Sequence, residues 1–210
     1  MLDARRGVRM RLGNIIEFKK ELYFEGAVQS DWFYEPQKAA KVAENFVFHG
    51  KNYFGVDSKK DSIDTVSLVR ALVNKLGKDD VNPRTLAIAD YGTGKSHLAV
   101  TLGQIFSGAS YMPETYNKIL QNISQIDPEA AEDIRELSKD RNFVIMLNGI
   151  RDFNLHSEIL KATQRSLRLY GIDDSELKNL NKTIETANRF FELNADSRVC
   201  DFEKAASERG

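Results

Sequence analysis

Several features are scarce in this sequence, and each scarcity excludes a class of protein. The 210 residues include one cysteine, Cys200, which rules out a disulfide within the chain and fits a reducing compartment. The formal net charge is −1, so no overall field draws the molecule to nucleic acid or to an anionic membrane. No apolar run approaches the length of a membrane span, and the first residues of the sequence lack the apolar segment of a secretory signal. We therefore expect a cytoplasmic protein with no membrane partner.

The most informative stretch joins an apolar run, a glycine-bearing loop and a helix start. Residues 84–89 are mostly apolar or β-branched and predict a buried strand. In the loop that follows, Gly92 and Gly94 allow backbone N–H groups to face a phosphate with no Cβ in its way. The predicted helix N-terminus adds further N–H groups, Lys95 can reach the β- and γ-phosphates, and the Ser96 hydroxyl can ligate Mg²⁺. We expect a nucleoside triphosphate to bind here with Mg²⁺; the alternative is an ordinary tight turn whose lysine is only solvated.

Elsewhere the apolar periodicity is mainly helical. Three prolines stand where helices can begin, and Asp127 is a suitable N-cap for the last of them: Pro36, Pro113 and Pro128. A helix over residues 62–76 should turn one apolar side inward, namely Val66, Val69, Val73 and Leu76. Another helix begins after Asn154, and its predicted apolar stripe consists of Leu155, Ile159, Leu160, Thr163 and Leu167. A second buried strand is predicted at residues 143–147.

Strands and helices together predict an α/β fold with three regions. Residues 1–50 form an N-terminal segment, residues 51–150 the nucleotide-binding core, and residues 151–210 a helical region that we expect to continue in a longer parent chain. The aromatic cluster at residues 31–34 is interpreted as a hydrophobic anchor for the next helix, in preference to a platform that stacks a base. The cations Lys161, Arg165 and Arg168 are interpreted as a solvated helix face.

One further absence concerns catalysis. A working triphosphatase normally has a second strand that ends in an acid, which holds Mg²⁺ and helps to activate water. The only later predicted strand ends in Asn148, which could orient a water or a phosphate or could simply form a turn with Gly149. Two strands are also few for a parallel sheet. We therefore expect a piece of a longer ATPase, or else a small protein that binds nucleotide without efficient turnover, and the catalytic residues stay unknown.

The segment Gly92-Thr-Gly-Lys-Ser-His-Leu-Ala99 resembles the phosphate loop of the AAA+ ATPases, above all of helicase loaders and replication initiators. Tyr53-Phe-Gly-Val56 is similar to the segment that lines the adenine pocket in that superfamily. The loop opening Ala89-Asp90-Tyr91 departs from the usual pattern and is similar to that of large ATPases of bacterial anti-phage systems of the BREX type. The resemblance implies a P-loop NTPase core of AAA+ type that is incomplete and accompanied by many helices.

The resemblance also implies the roles of individual residues. Ser96 would be the Mg²⁺ ligand. The residues near adenine would be Phe54, Gly55 and Val56. The residues around the phosphates would be Tyr91, Gly92, Thr93, Gly94, Lys95, Ser96 and His97.

The leading hypothesis is an ATP-binding domain of a larger DNA-directed or phage-defence ATPase. Its cofactors would be ATP and Mg²⁺, and its partners a second copy of the chain or a larger defence or DNA-processing complex. One rival is a small-molecule kinase in which residues 154–191 form a helical lid. Another is a helical interaction module with a vestigial, empty loop.

Overall fold

The computed structural model describes residues 26–51, 63–76, 84–88, 90, 92–139, 142–149 and 154–180, with the isolated positions 182, 183, 186, 189 and 207. A 3₁₀ helix, Ser30–Tyr34, is followed by α1 (Pro36–Glu44), α2 (Thr65–Val73), α3 (Lys95–Ser107), α4 (Pro113–Ser124), α5 (Pro128–Leu137) and α6 (Leu155–Leu169). Residues 175–180 are also helical. Among the described residues no helix combines the length and apolar character needed to cross a bilayer.

The predicted α/β fold is wrong for the part of the chain that the structure describes, because that part contains helices and no strand. Residues 84–88 have no regular secondary structure, and Leu86 and Ile88 are 83% and 85% exposed. A strand needs a neighbouring strand to take its backbone hydrogen bonds, and an apolar run reports a tendency to be buried without supplying that neighbour.

The second predicted strand fails for the same reason. Residues 142–149 alternate between more and less exposed side chains, as a strand would, with Val144 and Met146 turned inward. Their backbone groups bond to side-chain hydroxyls from elsewhere in the chain. The Tyr34 hydroxyl accepts from the N–H of Met146 and donates to its C=O, and the Ser166 hydroxyl donates to the C=O of Val144. Hydroxyls therefore occupy positions where a partner strand would bond.

Local sequence signals set the helix starts as predicted. Pro36, Pro113 and Pro128 each stand in the first turn of a helix, where the missing N–H costs nothing. Asp127 caps α5 by accepting from the N–H of Ala130 at 2.9 Å. Asp64 caps α2 in the same manner, with the N–H of Ser67 at 2.8 Å and its hydroxyl at 2.7 Å.

The helices enclose two apolar clusters. The larger lies among α2, α3, α4, α5 and the end of α1, and its fully buried members include Val69, Ile105, Ile119, Ile123 and Ile134. The smaller joins the 3₁₀ helix, α1 and α3 through Trp32, Phe33, Ala39, Val42 and Val100. The interpretation of residues 31–34 as a hydrophobic anchor is thereby confirmed. Helix α3 belongs to both clusters, which fixes the position of its N-terminus.

Helix α6 packs differently from its predicted stripe. Its buried residues are small, Ala162 and Ser166, whereas Leu155 and Ile159 are exposed. Small side chains let this helix approach the 3₁₀ helix closely enough for the Tyr34 hydroxyl to lie 3.3 Å from the C=O of Ala162. Contacts of this kind join all three predicted regions, whose boundaries stay a prediction.

Candidate functional site

The predicted phosphate loop lies directly before α3. Gly92 and Gly94 have φ values of 80° and 83°, a left-handed conformation that glycine adopts at little cost. A Cβ at either position would meet nothing within 4 Å, so the space beside the loop is open. Gly94 is also the N-cap of α3, and no side chain caps the helix there. The first N–H groups of α3 therefore have no side-chain oxygen from the cap position.

Lys95 extends its side chain back across the loop. Its Nζ donates to the backbone C=O of Asp90 at 2.6 Å and lies 3.3 Å from the Thr93 hydroxyl. That hydroxyl donates to the same carbonyl at 2.8 Å. The side chain of Lys95 is exposed. The loop thus holds an accessible positive charge beside the uncapped helix end.

His97 lies in the first turn of α3, is half-buried and contacts α1. Its Nε2 is 2.7 Å from the C=O of Val42, and since a carbonyl only accepts, Nε2 carries the proton in this contact. The ring meets Phe46 edge to face, with centroids 5.0 Å apart. A contact between His97 and a nucleotide stays a prediction, whereas its anchoring of α3 to α1 is observed.

The remaining predicted site residues divide into two groups. Thr93 and Ser96 are described: Thr93 bonds within the loop, and Ser96 is half-buried in the first turn of α3. Tyr91, Phe54, Gly55 and Val56 lie outside the described residues. Within the described ranges no group of three or more His, Cys, Asp or Glu side chains could hold a metal ion. The Ser96 hydroxyl, phosphate oxygens and water are ligands that a Mg²⁺ at the loop could use.

A second polar cluster escaped the sequence reasoning. Asp31 accepts from Arg165 Nη1 at 2.8 Å on one carboxylate oxygen and from Asn148 Nδ2 at 3.0 Å on the other. The Arg165 guanidinium also lies over the Tyr34 ring, 4.3 Å from its centroid. Burial raises the pKa of the Tyr34 hydroxyl, against the opposing effect of its hydrogen bonds.

The members of this cluster are far apart in sequence. Asn148 was interpreted as a turn former or a group that orients water or phosphate, and Arg165 as part of a solvated face. Their common partner, Asp31, is 117 and 134 residues away from them, so no local pattern joins the three. Comparisons with protein-family models, with curated proteins and with solved structures find no match for this chain.

Proposed function

We propose that this chain binds the phosphates of a nucleoside triphosphate, with Mg²⁺, at the loop before α3. The observation that carries the proposal is the position of Lys95, whose ammonium crosses a loop of two left-handed glycines at an uncapped helix start. Backbone N–H groups, a helix dipole and a lysine are the groups that bind phosphate in proteins. The absence of a sheet in the described residues does not remove any of these groups.

Charge supports the same proposal. A helix N-terminus stabilises a nearby anion by roughly 0.3–1 kcal/mol at an exposed site, and up to about 2 kcal/mol where it is partly buried. Hydrogen bonds between ionised groups are roughly twice as strong as neutral ones, so Lys95 adds the larger single contribution. A triphosphate carries several charges and can use both groups at once, which a single carboxylate cannot.

The proposal covers binding, with turnover that is slow or absent in the isolated chain. Asn148 follows residues 143–147, where a triphosphatase would normally have an acid, and its amide donates to Asp31. Steady hydrolysis of ATP by the isolated chain would contradict this part. A cytoplasmic setting in a DNA-directed or phage-defence assembly is the wider form of the proposal, and the loop sequence is its support.

Calorimetric titration of Mg-ATP tests the proposal. We expect saturable binding by the wild-type chain and binding at least about tenfold weaker in Lys95→Ala, since one charge-assisted contact is removed. Lys118→Ala is the matched control, because Lys118 is an exposed lysine on α4 that bonds only Gln121 among described residues. Equal affinity of Lys95→Ala and the wild type would sink the proposal.

A further inference from the structure

A cleft of about 260 Å³ opens between the 3₁₀ helix, residues 142–149 and α6. Three separate parts of the chain converge on it, which is the usual construction of a small-molecule site. Met146, Leu147 and Ala162 give it an apolar side, and Asp31, Asn148 and Arg165 give it a polar side. None of these residues belongs to the phosphate loop, so the cleft is separate from that loop.

Arg165 is held in a fixed orientation at this cleft. Asp31 bonds one end of its guanidinium, and the Tyr34 ring lies against its face. Tyr34 is itself fixed by the N–H and C=O of Met146. A guanidinium has five N–H donors, and its hydrogen bonding to the described residues uses one of them. The remaining donors are oriented in advance, so an acceptor that reaches them needs little reordering of the side chain.

The charges around the cleft restrict the kind of anion. Each carboxylate oxygen of Asp31 accepts one hydrogen bond within the cluster, one from Arg165 and one from Asn148. Lys161 stands at the mouth in an exposed ion pair with Glu158, 3.0 Å long, and pairs of this kind are opened at little cost. A planar monoanion can meet the guanidinium fork while its chain lies on the apolar side. Asp31 and Glu158 also line the cleft, and their charges oppose a phosphate dianion more strongly than a monoanion.

We propose that this cleft binds a small aliphatic carboxylate, with Arg165 as the principal anchor and Lys161 as a second cation at the mouth. The carboxylate accepts from the free edge of the guanidinium, and its short alkyl chain contacts Met146 and Ala162. The site contains no residue of the phosphate loop, so this proposal is tested independently of the nucleotide proposal.

The test is a titration of the ¹⁵N-labelled full chain with sodium butyrate, followed by NMR at the Arg165 Nε–H and at the amides of Asn148 and Ala162. We expect saturable shifts at millimolar butyrate and no saturation with inorganic phosphate at matched ionic strength. Arg165→Gln should weaken butyrate binding about tenfold or more. Arg168→Gln should leave it unchanged, because Arg168 lies on the same helix but bonds Asp174.

Arg165→Gln also removes contacts to Asp31 and Tyr34, so its effect on binding could come from a change in structure. A second variant, Lys161→Gln, tests the site without removing those contacts. Lys161→Gln changes an exposed side chain at the mouth and should weaken butyrate binding severalfold with an otherwise native spectrum. Three results would overturn the site: no saturation with butyrate, tighter binding of phosphate than of butyrate, or unchanged butyrate affinity in both Arg165→Gln and Lys161→Gln.

Discussion

At the scale of single residues, the positions of Gly92 and Gly94 favour glycine because of their left-handed backbone conformation and not because a Cβ would clash there. A residue with a Cβ is disfavoured in the left-handed region by roughly 1–2 kcal/mol. Gly94→Ala should therefore destabilise the chain by about that amount, although its Cβ would meet no neighbour within 4 Å. We also expect weaker binding of Mg-ATP, because relief of the strain would turn the N–H groups of the loop away. Urea unfolding and calorimetry measure the two effects.

Gly171→Ala is the matched control for this substitution. Gly171 also has a positive φ, 67°, and open space around it, but it lies after α6. Its replacement should cost similar stability and leave nucleotide affinity unchanged. If both variants lost affinity equally, the effect would be one of general destabilisation and the loop would have no special part in it.

At the scale of elements, the cap of α2 gives a prediction with a definite pH dependence. Burial opposes ionisation of Asp64, but donation from the N–H and hydroxyl of Ser67 outweighs it and lowers the pKa of this carboxyl. Because the pKa of Asp64 is lower in the folded state, its charge contributes fully to stability at a pH above the unfolded-state pKa of about 3.9. This contribution is lost as the pH falls through the folded-state pKa. Asp64→Ala should lower the free energy of unfolding by about 0.5–2 kcal/mol at pH 7.

The difference in free energy of unfolding between the wild type and Asp64→Ala should shrink as the pH falls below about 4. Asp64→Asn keeps an acceptor for the Ser67 N–H without the titrating charge, so its stability should depend less on pH over that range. Urea unfolding between pH 2.5 and pH 7 provides the comparison. A wild-type advantage that stayed constant down to the lowest pH would show that the charge of Asp64 contributes nothing.

The elements also show which features the sequence could predict. Pro36, Pro113 and Pro128 begin helices because a proline restricts its own backbone and needs no distant partner. The inward side of α2, with Val66, Val69 and Val73, is likewise confirmed, because helical spacing fixes which residues share a face. The strands failed because a strand exists only with a neighbour, and here hydroxyls from Tyr34 and Ser166 take that place.

The candidate site shows the same division between local and distant information. The glycine conformations and the helix start at Lys95 were predictable, because both are written in consecutive residues. The direction of His97 was not, since it depends on a carbonyl of Val42, 55 residues earlier. The cluster of Asp31, Asn148 and Arg165 was not predictable either, for the same physical reason.

At the scale of the whole molecule, α3 connects the loop to both apolar clusters. Ile105 lies in the larger cluster and Val100 in the smaller one. Gly103 allows the helix to lie against Phe33, because a Cβ there would be 2.8 Å from the aromatic ring. A ligand that fixes the start of α3 should therefore stabilise the molecule as one unit.

Thermal unfolding measures this stabilisation. At a free Mg-ATP concentration 100 times Kd, binding to the folded state alone stabilises it by about 2.7 kcal/mol. We expect a single unfolding transition that moves to higher temperature with Mg-ATP in the wild type and moves clearly less at the same Mg-ATP concentration in Lys95→Ala. A transition that splits in two on addition of nucleotide would contradict the shared role of α3.

The most direct measurement follows the backbone amides of Gly92, Gly94, Lys95 and Ser96 by NMR as Mg-ATP is added to the ¹⁵N-labelled chain. We expect large, saturable shifts at these amides with one common Kd, and a Kd at least about tenfold higher in Lys95→Ala. Saturable shifts confined to other parts of the chain, or no saturation at all, would contradict the claim that this loop binds nucleotide phosphates.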